Sequence, residues 1–203
     1  MSILDSLKHA ALSALKRESR KAVSKAVNTA VQNIGKGRNH TEKFSFSALP
    51  QTLPELKALP EAKMDTAFKT AALTVLALSR YETDPEVTFE MLAFLKGPET
   101  FNNSEKSFMK DRLSGKEYKV RSFFEGAVPE NDYTPDRPYV VPISENPYSF
   151  DNENWATLYV TSGGADHPRS IKLRKKPSTG EWFLNDIQCL GDIRLPKSED
   201  KWA

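Results

Sequence analysis

Between Trp155 and Ile187 the chain alternates β-branched and aromatic stretches with short polar turns. Trp155 to Thr161, Arg169 to Lys175 and Glu181 to Ile187 read as strands. Ser162-Gly163-Gly164-Ala165-Asp166-His167-Pro168 and Lys176-Pro177-Ser178-Thr179-Gly180 read as the turns between them. Two strand–turn–strand units in succession make an antiparallel meander, and this pattern constrains the fold more than any other feature.

Upstream the periodicity is helical. Asp65 is a plausible N-cap for a helix running to about Arg80. Its centre, from Ala71 to Leu78, is apolar nearly all round, which predicts a buried core helix. Asp84-Pro85 opens a second helix with an N-cap and a proline at the first position. Met91, Leu92, Phe94 and Leu95 form its buried side, and Gly97-Pro98 ends it. Asn102 with Glu105 three residues on resembles a capping box for a third helix, which carries Phe108, Met109 and Leu113 before Gly115. Past Lys116 the pattern changes. Residues 127–154, rich in Pro, Asn, Asp and aromatics, read as a long ordered loop around one strand, Tyr139 to Ile143. Three helices followed by an antiparallel meander define an α+β domain. The order is similar to the cone-shaped helix-plus-sheet folds of the nuclear-transport-factor-like group, an analogy that says little about function.

The first forty residues differ from the rest in charge. They hold eight basic residues against two acidic ones, a charge of +6, while residues 41–203 hold 21 basic against 25 acidic, or −4. Residues 3–34 contain neither Pro nor Gly and are dense in Ala, Leu, Lys and Arg, so residues 1–34 read as a basic amphipathic helical arm. One apolar face comprises Ile3, Leu4, Leu7, Ala11, Ala14 and Leu15; a second runs from Ala22 through Val23, Ala26, Val27, Ala30 and Val31 to Ile34. At ~100° per residue the second face is rotated by roughly a third of a turn from the first. Lys16, Arg17, Arg20, Lys21 and Lys25 form the basic side that would meet an anionic partner.

The small Ala/Val face suits a protein partner or self-association. A membrane surface is the alternative, weakened by the lack of large apolar or aromatic residues in the second half. Nucleic acid is a lesser option, and an import peptide is opposed by Asp5 and Glu18. No uninterrupted apolar stretch follows a basic start, which argues against a secretory signal. Residues 35–63 read as a linker. Gly35 and Gly37 punctuate the arm, Phe44-Ser45-Phe46 alternates like a short edge strand, and Pro50, Pro54 and Pro60 deny a regular helix. Leu49, Leu53, Leu56 and Leu59 lay this segment along the globular body, residues 64–203.

Several function classes are excluded by composition. Eleven Phe, six Tyr and three Trp are enough for a core, so the whole chain is not disordered. One Cys permits no disulfide framework. His9, His40, His167 and Cys189 lack the spacing of a zinc site, and Asp192, Glu199 and Asp200 are too scattered for another metal. No cofactor motif is present. The longest apolar run is far below the ~18 residues of a membrane span.

The candidate ligand-binding residues cluster in two strings. Gly163-Gly164 followed by Asp166, His167 and Arg169 is the first. Two glycines can adopt positive φ and expose N–H groups, and Arg169 can supply a bidentate contact to an anion. The competing reading is a hairpin loop in which Asp166 caps its own backbone and pairs with Arg169. It is not a phosphate loop, because no Gly-Lys-Ser/Thr follows. His167, the body's only histidine, would need a partner that its neighbour Asp166 cannot easily be, since adjacent strand residues face opposite ways. The second string, Asn146-Pro147-Tyr148-Ser149-Phe150, is a turn with aromatic anchors or a peptide-binding ledge. Cys189 reads as a buried residue rather than a nucleophile. Lys172, Arg174 and Lys176 share one strand face, and with Trp155 or Tyr159 they could stack and charge-pair with a single strand. The body's net −4 opposes that reading.

From Met64 onward the chain resembles an uncharacterised bacterial family known only as a domain of unknown function. The resemblance rests on Leu113-Ser114-Gly115-Lys116 with Tyr118, Pro129-Glu130-Asn131 with Tyr133-Thr134-Pro135, and Asn146 to Phe150. It continues through Ser162 to Arg169, Trp182-Phe183-Leu184 and Gly191-Asp192-Ile193-Arg194-Leu195-Pro196. It implies a bacterial, cytoplasmic protein and brings no activity with it. With no catalytic constellation and a separable charged arm, the sequence favours a non-enzymatic binding or adaptor domain, docked through the arm to a protein or peripherally to a membrane. An enzyme with a pocket between helices and sheet is the alternative.

Overall fold

A computed structural model describes residues 39–202. The basic arm, with Lys16, Arg17, Arg20, Lys21 and Lys25, and the Gly35–Gly37 punctuation lie outside the described residues.

The chain enters as an edge strand, β1 (Thr41–Phe46), in which Phe44 and Phe46 are buried and Ser45 is exposed. A short helix follows, α1 (Leu53–Ala58), which corrects the expectation that prolines forbid one here. Pro54 sits in the first turn, where its missing N–H has no intrahelical partner to lose. The Thr52 side chain accepts from Glu55 N at 3.4 Å, and the Glu55 carboxylate accepts from Gln51 N at 2.8 Å. The helix ends before Leu59-Pro60, as pre-proline residues disfavour helical ψ. Its Leu56 is fully buried, so this segment is part of the core rather than a tether over it.

The main helix, α2 (Ala67–Ser79), starts one residue later than expected. Thr66, not Asp65, is the N-cap, accepting from Lys69 N at 3.3 Å, while the Asp65 carboxylate takes the Lys69 ammonium at 2.7 Å. Every residue from Thr70 through Leu78 is buried. Helix α3 (Pro85–Lys96) has Asp84 as N-cap and ends on Gly97 at φ +64°. Helix α4 (Asn103–Leu113) carries the complete capping box of Asn102 and Glu105. A single turn, α5 (Tyr118–Arg121), was not legible in the sequence.

The sheet then follows: β2 (Tyr139–Ser144), β3 (Trp155–Val160), β4 (Arg169–Lys175) and β5 (Trp182–Ile187). The spatial order is β1-β2-β3-β4-β5 and every pair is antiparallel. The result is an α+β domain of five helices and an open five-stranded meander among the described residues. Helix α2 packs on β2 to β5. The strand residues of the buried face include Val141, Ile143, Leu158, Val160, Ile171 and Leu173, all with no exposed area. Each such aliphatic side chain contributes ~1.5–3 kcal/mol by leaving water. The inner face of the sheet is therefore packed with side chains. Opposite Lys172 and Leu173 the register shifts, and Asn185 is the extra residue of a bulge in β5.

Candidate functional site

The glycine loop is a structural clasp. Gly163 N–H donates to Ser122 O at 2.9 Å and Gly164 N–H to the Ser162 hydroxyl at 3.1 Å. The Ser162 and Ser122 hydroxyls are 2.7 Å apart. Neither glycine has positive φ, so conformational freedom is not why they are glycines. Close approach is the reason. A Cβ on Gly163 would overlap the Ala127 carbonyl oxygen, and one on Gly164 would overlap the Tyr133 hydroxyl. Tyr133 is fully buried, stacks on Tyr118 at 5.6 Å, and donates to Arg194 O at 2.8 Å; Arg194 N–H returns to Gly164 O at 2.9 Å. Burial pushes the Tyr133 hydroxyl up to about 12, so it acts as a donor. With both amides committed inward, this arrangement offers no anion-binding turn. Asp166 pairs with Arg194 rather than Arg169, and the Arg169 guanidinium donates to Asp192 O at 2.5 Å. His167 is exposed.

The second string is a turn held by Asn146, whose side-chain oxygen accepts from Tyr148 N at 2.9 Å. Tyr148 is 75% exposed, and Phe150 meets Trp182 edge-on at 5.8 Å. Asn131 does comparable work upstream, accepting from Val128 N and donating to Gly126 O at 2.8 Å. Cys189 is fully buried, and burial raises its thiol to about 12, so no thiolate forms at neutral pH. The basic strand face does assemble with its aromatics. Trp155 is opposite Arg174, Thr157 opposite Lys172 and Tyr159 opposite Ser170. Arg174 lies over the Trp155 ring at 5.1 Å and also pairs with Glu99 at 3.2 Å.

An opening lies elsewhere, between α4 and β5. It is a cleft of about 660 Å³ with Phe101, Phe108 and Met109 on one wall and residues 184–188 on the other. At its base is Lys96, only 5% exposed, which donates to the Glu105 carboxylate at 2.5 Å and lies 4.6 Å from the Phe101 ring centroid. The capping box makes this possible. One Glu105 oxygen accepts from Asn102 N at 2.8 Å, which turns the other toward Lys96. Burial raises the Glu105 carboxyl, but Lys96 and the Asn102 N–H outweigh it and hold the group below its ordinary value. Arg112 covers the exposed Phe108 ring at 5.2 Å. A second cleft, about 400 Å³, contains Trp155, Arg174, Lys175 and Lys176 and shares Lys96, Leu184 and Asn185 with the first.

The larger cleft has no His, Cys or Tyr in its lining, and its Ser104 hydroxyl has no base bonded to it among the described residues. It can hold an apolar group against its aromatic wall and polar groups at Lys96, Arg112, Asn185, Asp186, Gln188 or Asp192. None of Gly163, Gly164, Asp166, His167, Arg169, Asn146 or Tyr148 contributes to either lining. Sequence reading finds the Asn102–Glu105 capping box. It misses the cleft because the partner of Glu105, Lys96, belongs to the preceding helix.

A family model described as a domain of unknown function, DUF6935, matches residues 48–197. The chain belongs to this family. The match takes in both clefts, the clasp and every element of the DUF6935 domain from α1 to β5. No curated protein and no solved structure matches the chain. No helix among the described residues is long and apolar enough to cross a membrane.

Proposed function

We propose that this DUF6935 protein is a non-catalytic binding or adaptor domain of the bacterial cytoplasm. Its ligand sits in the cleft between α4 and β5, and its basic N-terminal segment docks it to a protein partner. The observation that carries this reading is the cleft itself: ligand-sized, with an aromatic wall and polar groups, and without His, Cys or Tyr in its lining. The Glu99 pairing of Arg174 and the net −4 of residues 41–203 weigh against nucleic acid on the strand face.

The test is a fragment screen by NMR on the isotope-labelled full chain. Fragments are expected to perturb Phe101, Phe108, Met109 and residues 184–188 together and to be recovered unchanged. Perturbations confined to other surfaces, or conversion of a bound fragment, sink the reading. For the arm, Lys16, Arg17, Arg20, Lys21 and Lys25 are replaced by Gln in the full chain. Loss of self-association in sedimentation velocity, or of a salt-sensitive protein complex, is expected. Pelleting of the unmodified chain with anionic phospholipid vesicles assigns the arm to a membrane surface instead.

A further inference from the structure

Part of the wall of the larger cleft is the turn that follows β5, where Leu190, Gly191 and Asp192 line the opening. Before this turn Gln188 N–H donates to Ser170 O, and after it Arg194 N–H donates to Gly164 O. Between them, no backbone N–H of residues 189–193 donates to a backbone carbonyl among the described residues. The side chains of Cys189, Leu190 and Ile193 are buried, and that burial holds the segment down. Burial is non-directional, however, and does not fix the path of the backbone. Asp192 stands at φ +47°, a left-handed conformation that a non-glycine residue keeps only where its surroundings impose it.

Two cations reach this turn from different elements. The Lys119 ammonium, on α5, donates to Leu190 O at 3.2 Å. The Arg169 guanidinium, at the start of β4, donates to Asp192 O at 2.5 Å. Hydrogen bonds from charged donors are the stronger kind, and these two grip alternate carbonyls of one short segment. Neither cation forms an ion pair among the described residues. Lys119 is only 8% exposed, and the Arg169 Nε is buried without a hydrogen-bond partner. The charged groups facing Lys119 are Lys116 before α5, Arg112 and Asp111 on α4, and Asp192 on the turn itself. Burial, then Lys116 and Arg112, lower its ammonium below the ordinary lysine value against the pull of Asp111 and Asp192. The folded chain therefore holds this proton less tightly than the unfolded chain, and a charged Lys119 opposes folding at neutral pH. A charge placed at such a cost is explained by what it holds, the carbonyl of a cleft-wall residue.

We infer that Lys119 and Arg169 are the positioning residues of the larger cleft, holding the wall at residues 190–192 by its carbonyls and so keeping the ligand site formed. This rests on the reading of the cleft as the ligand site and adds how that site keeps its shape. Arg169 then acts through Asp192 and not on an anion.

Lys119→Met and Arg169→Met, each in the full chain, test the assignment. Amide hydrogen exchange at Gly191 and Asp192 is expected to quicken about tenfold in each variant, while Gly163 in the clasp keeps the parent rate. Indole, an apolar ring with one N–H, is the cleft probe, and its affinity is expected to fall roughly threefold in each variant. In the parent chain, carbon-detected NMR is expected to show the Leu190 carbonyl carbon and the Lys119 Cε titrating together, at a pH below the ordinary lysine range. A lysine that only fills space leaves that carbonyl carbon unmoved. Exchange within about twofold of the parent in both variants overturns the assignment. A Leu190 carbonyl that does not follow Lys119, or unchanged indole affinity in both variants, overturns it as well. If neither indole nor any screened fragment binds the parent chain, the ligand reading of the cleft falls, and exchange at Gly191 and Asp192 decides whether the two cations hold the wall.

Discussion

In the loop of residues 162–168, both glycine N–H groups, the carbonyl of Gly164 and the Asp166 carboxylate all have protein partners, whereas in the cleft wall no backbone N–H of residues 189–193 donates to a backbone carbonyl among the described residues. The loop has the more conspicuous sequence, two glycines beside an acid, a histidine and an arginine. The cleft is built from ordinary residues, Lys, Glu, Arg, Asp, Asn and Gln, with six apolar side chains, Phe101, Phe108, Met109, Leu184, Ile187 and Leu190, beside them. A polar group already bonded inside the protein has nothing left for a ligand. The contrast teaches that availability, not unusual composition, marks a binding surface.

The largest way to test that contrast is to crowd the clasp. Gly163→Ala places a methyl against the Ala127 carbonyl, which is backbone and cannot rotate aside. It is expected to cost about 3 kcal/mol in urea unfolding. A loss under about 0.5 kcal/mol would show that the loop is not packed as described. Tyr133→Phe keeps the Tyr118 stack but strips the Arg194 carbonyl of its buried donor, and a loss of about 1–2 kcal/mol is expected. Neither change touches the cleft lining, so fragment binding per folded molecule should persist.

Lys96→Met addresses the cleft side. Glu105 is one-third exposed on its side chain and keeps the Asn102 N–H, so the stability change at neutral pH is modest, about 1 kcal/mol. The acid limb is the sharper readout. Because the folded Glu105 carboxyl lies below its unfolded value, its contribution is present above that unfolded value and disappears as pH falls through the folded one. Stability of the parent chain should therefore drop more steeply below about pH 4 than that of the Met variant. Parallel acid limbs in chemical denaturation would remove Lys96 as the cause.

The smallest stability effects belong to Phe108→Ser and Asp166→Asn. Both sites are exposed, and each change should shift unfolding by no more than about 0.5 kcal/mol. They should differ in binding: fragments lose the cleft in the Phe108 variant and keep it in the Asp166 variant. Equal binding in the two breaks the distinction between clasp and cleft.

Much of the scaffold is legible in the sequence because its signals are local. Asp84-Pro85, the Asn102–Glu105 box, Gly97, and the turns at 162–168 and 176–180 act within a few residues, and the structure places each as read. The departures are local too, and physical. Pro54 reads as a helix breaker, although a first-turn proline is compatible with a helix. Asp65 reads as the cap, but Thr66 occupies that position and frees Asp65 to pair with Lys69. At Gly163 and Gly164 the sequence shows only the missing side chain. It does not show that the reason is the approach of Ala127 and Tyr133 from a distant loop.

From its own order of residues this chain determined an α+β domain: period 3.6 in the helices, period 2 in the strands, and caps and turns at the boundaries, all fixed by backbone sterics and near-neighbour hydrogen bonds. Tertiary structure alone decided which polar groups were spent and which stayed open. Burial brought Tyr133 to Gly164, Lys96 to Glu105 and Lys119 to Leu190. Those outcomes depend on contacts between residues from different elements, and no local pattern encodes them.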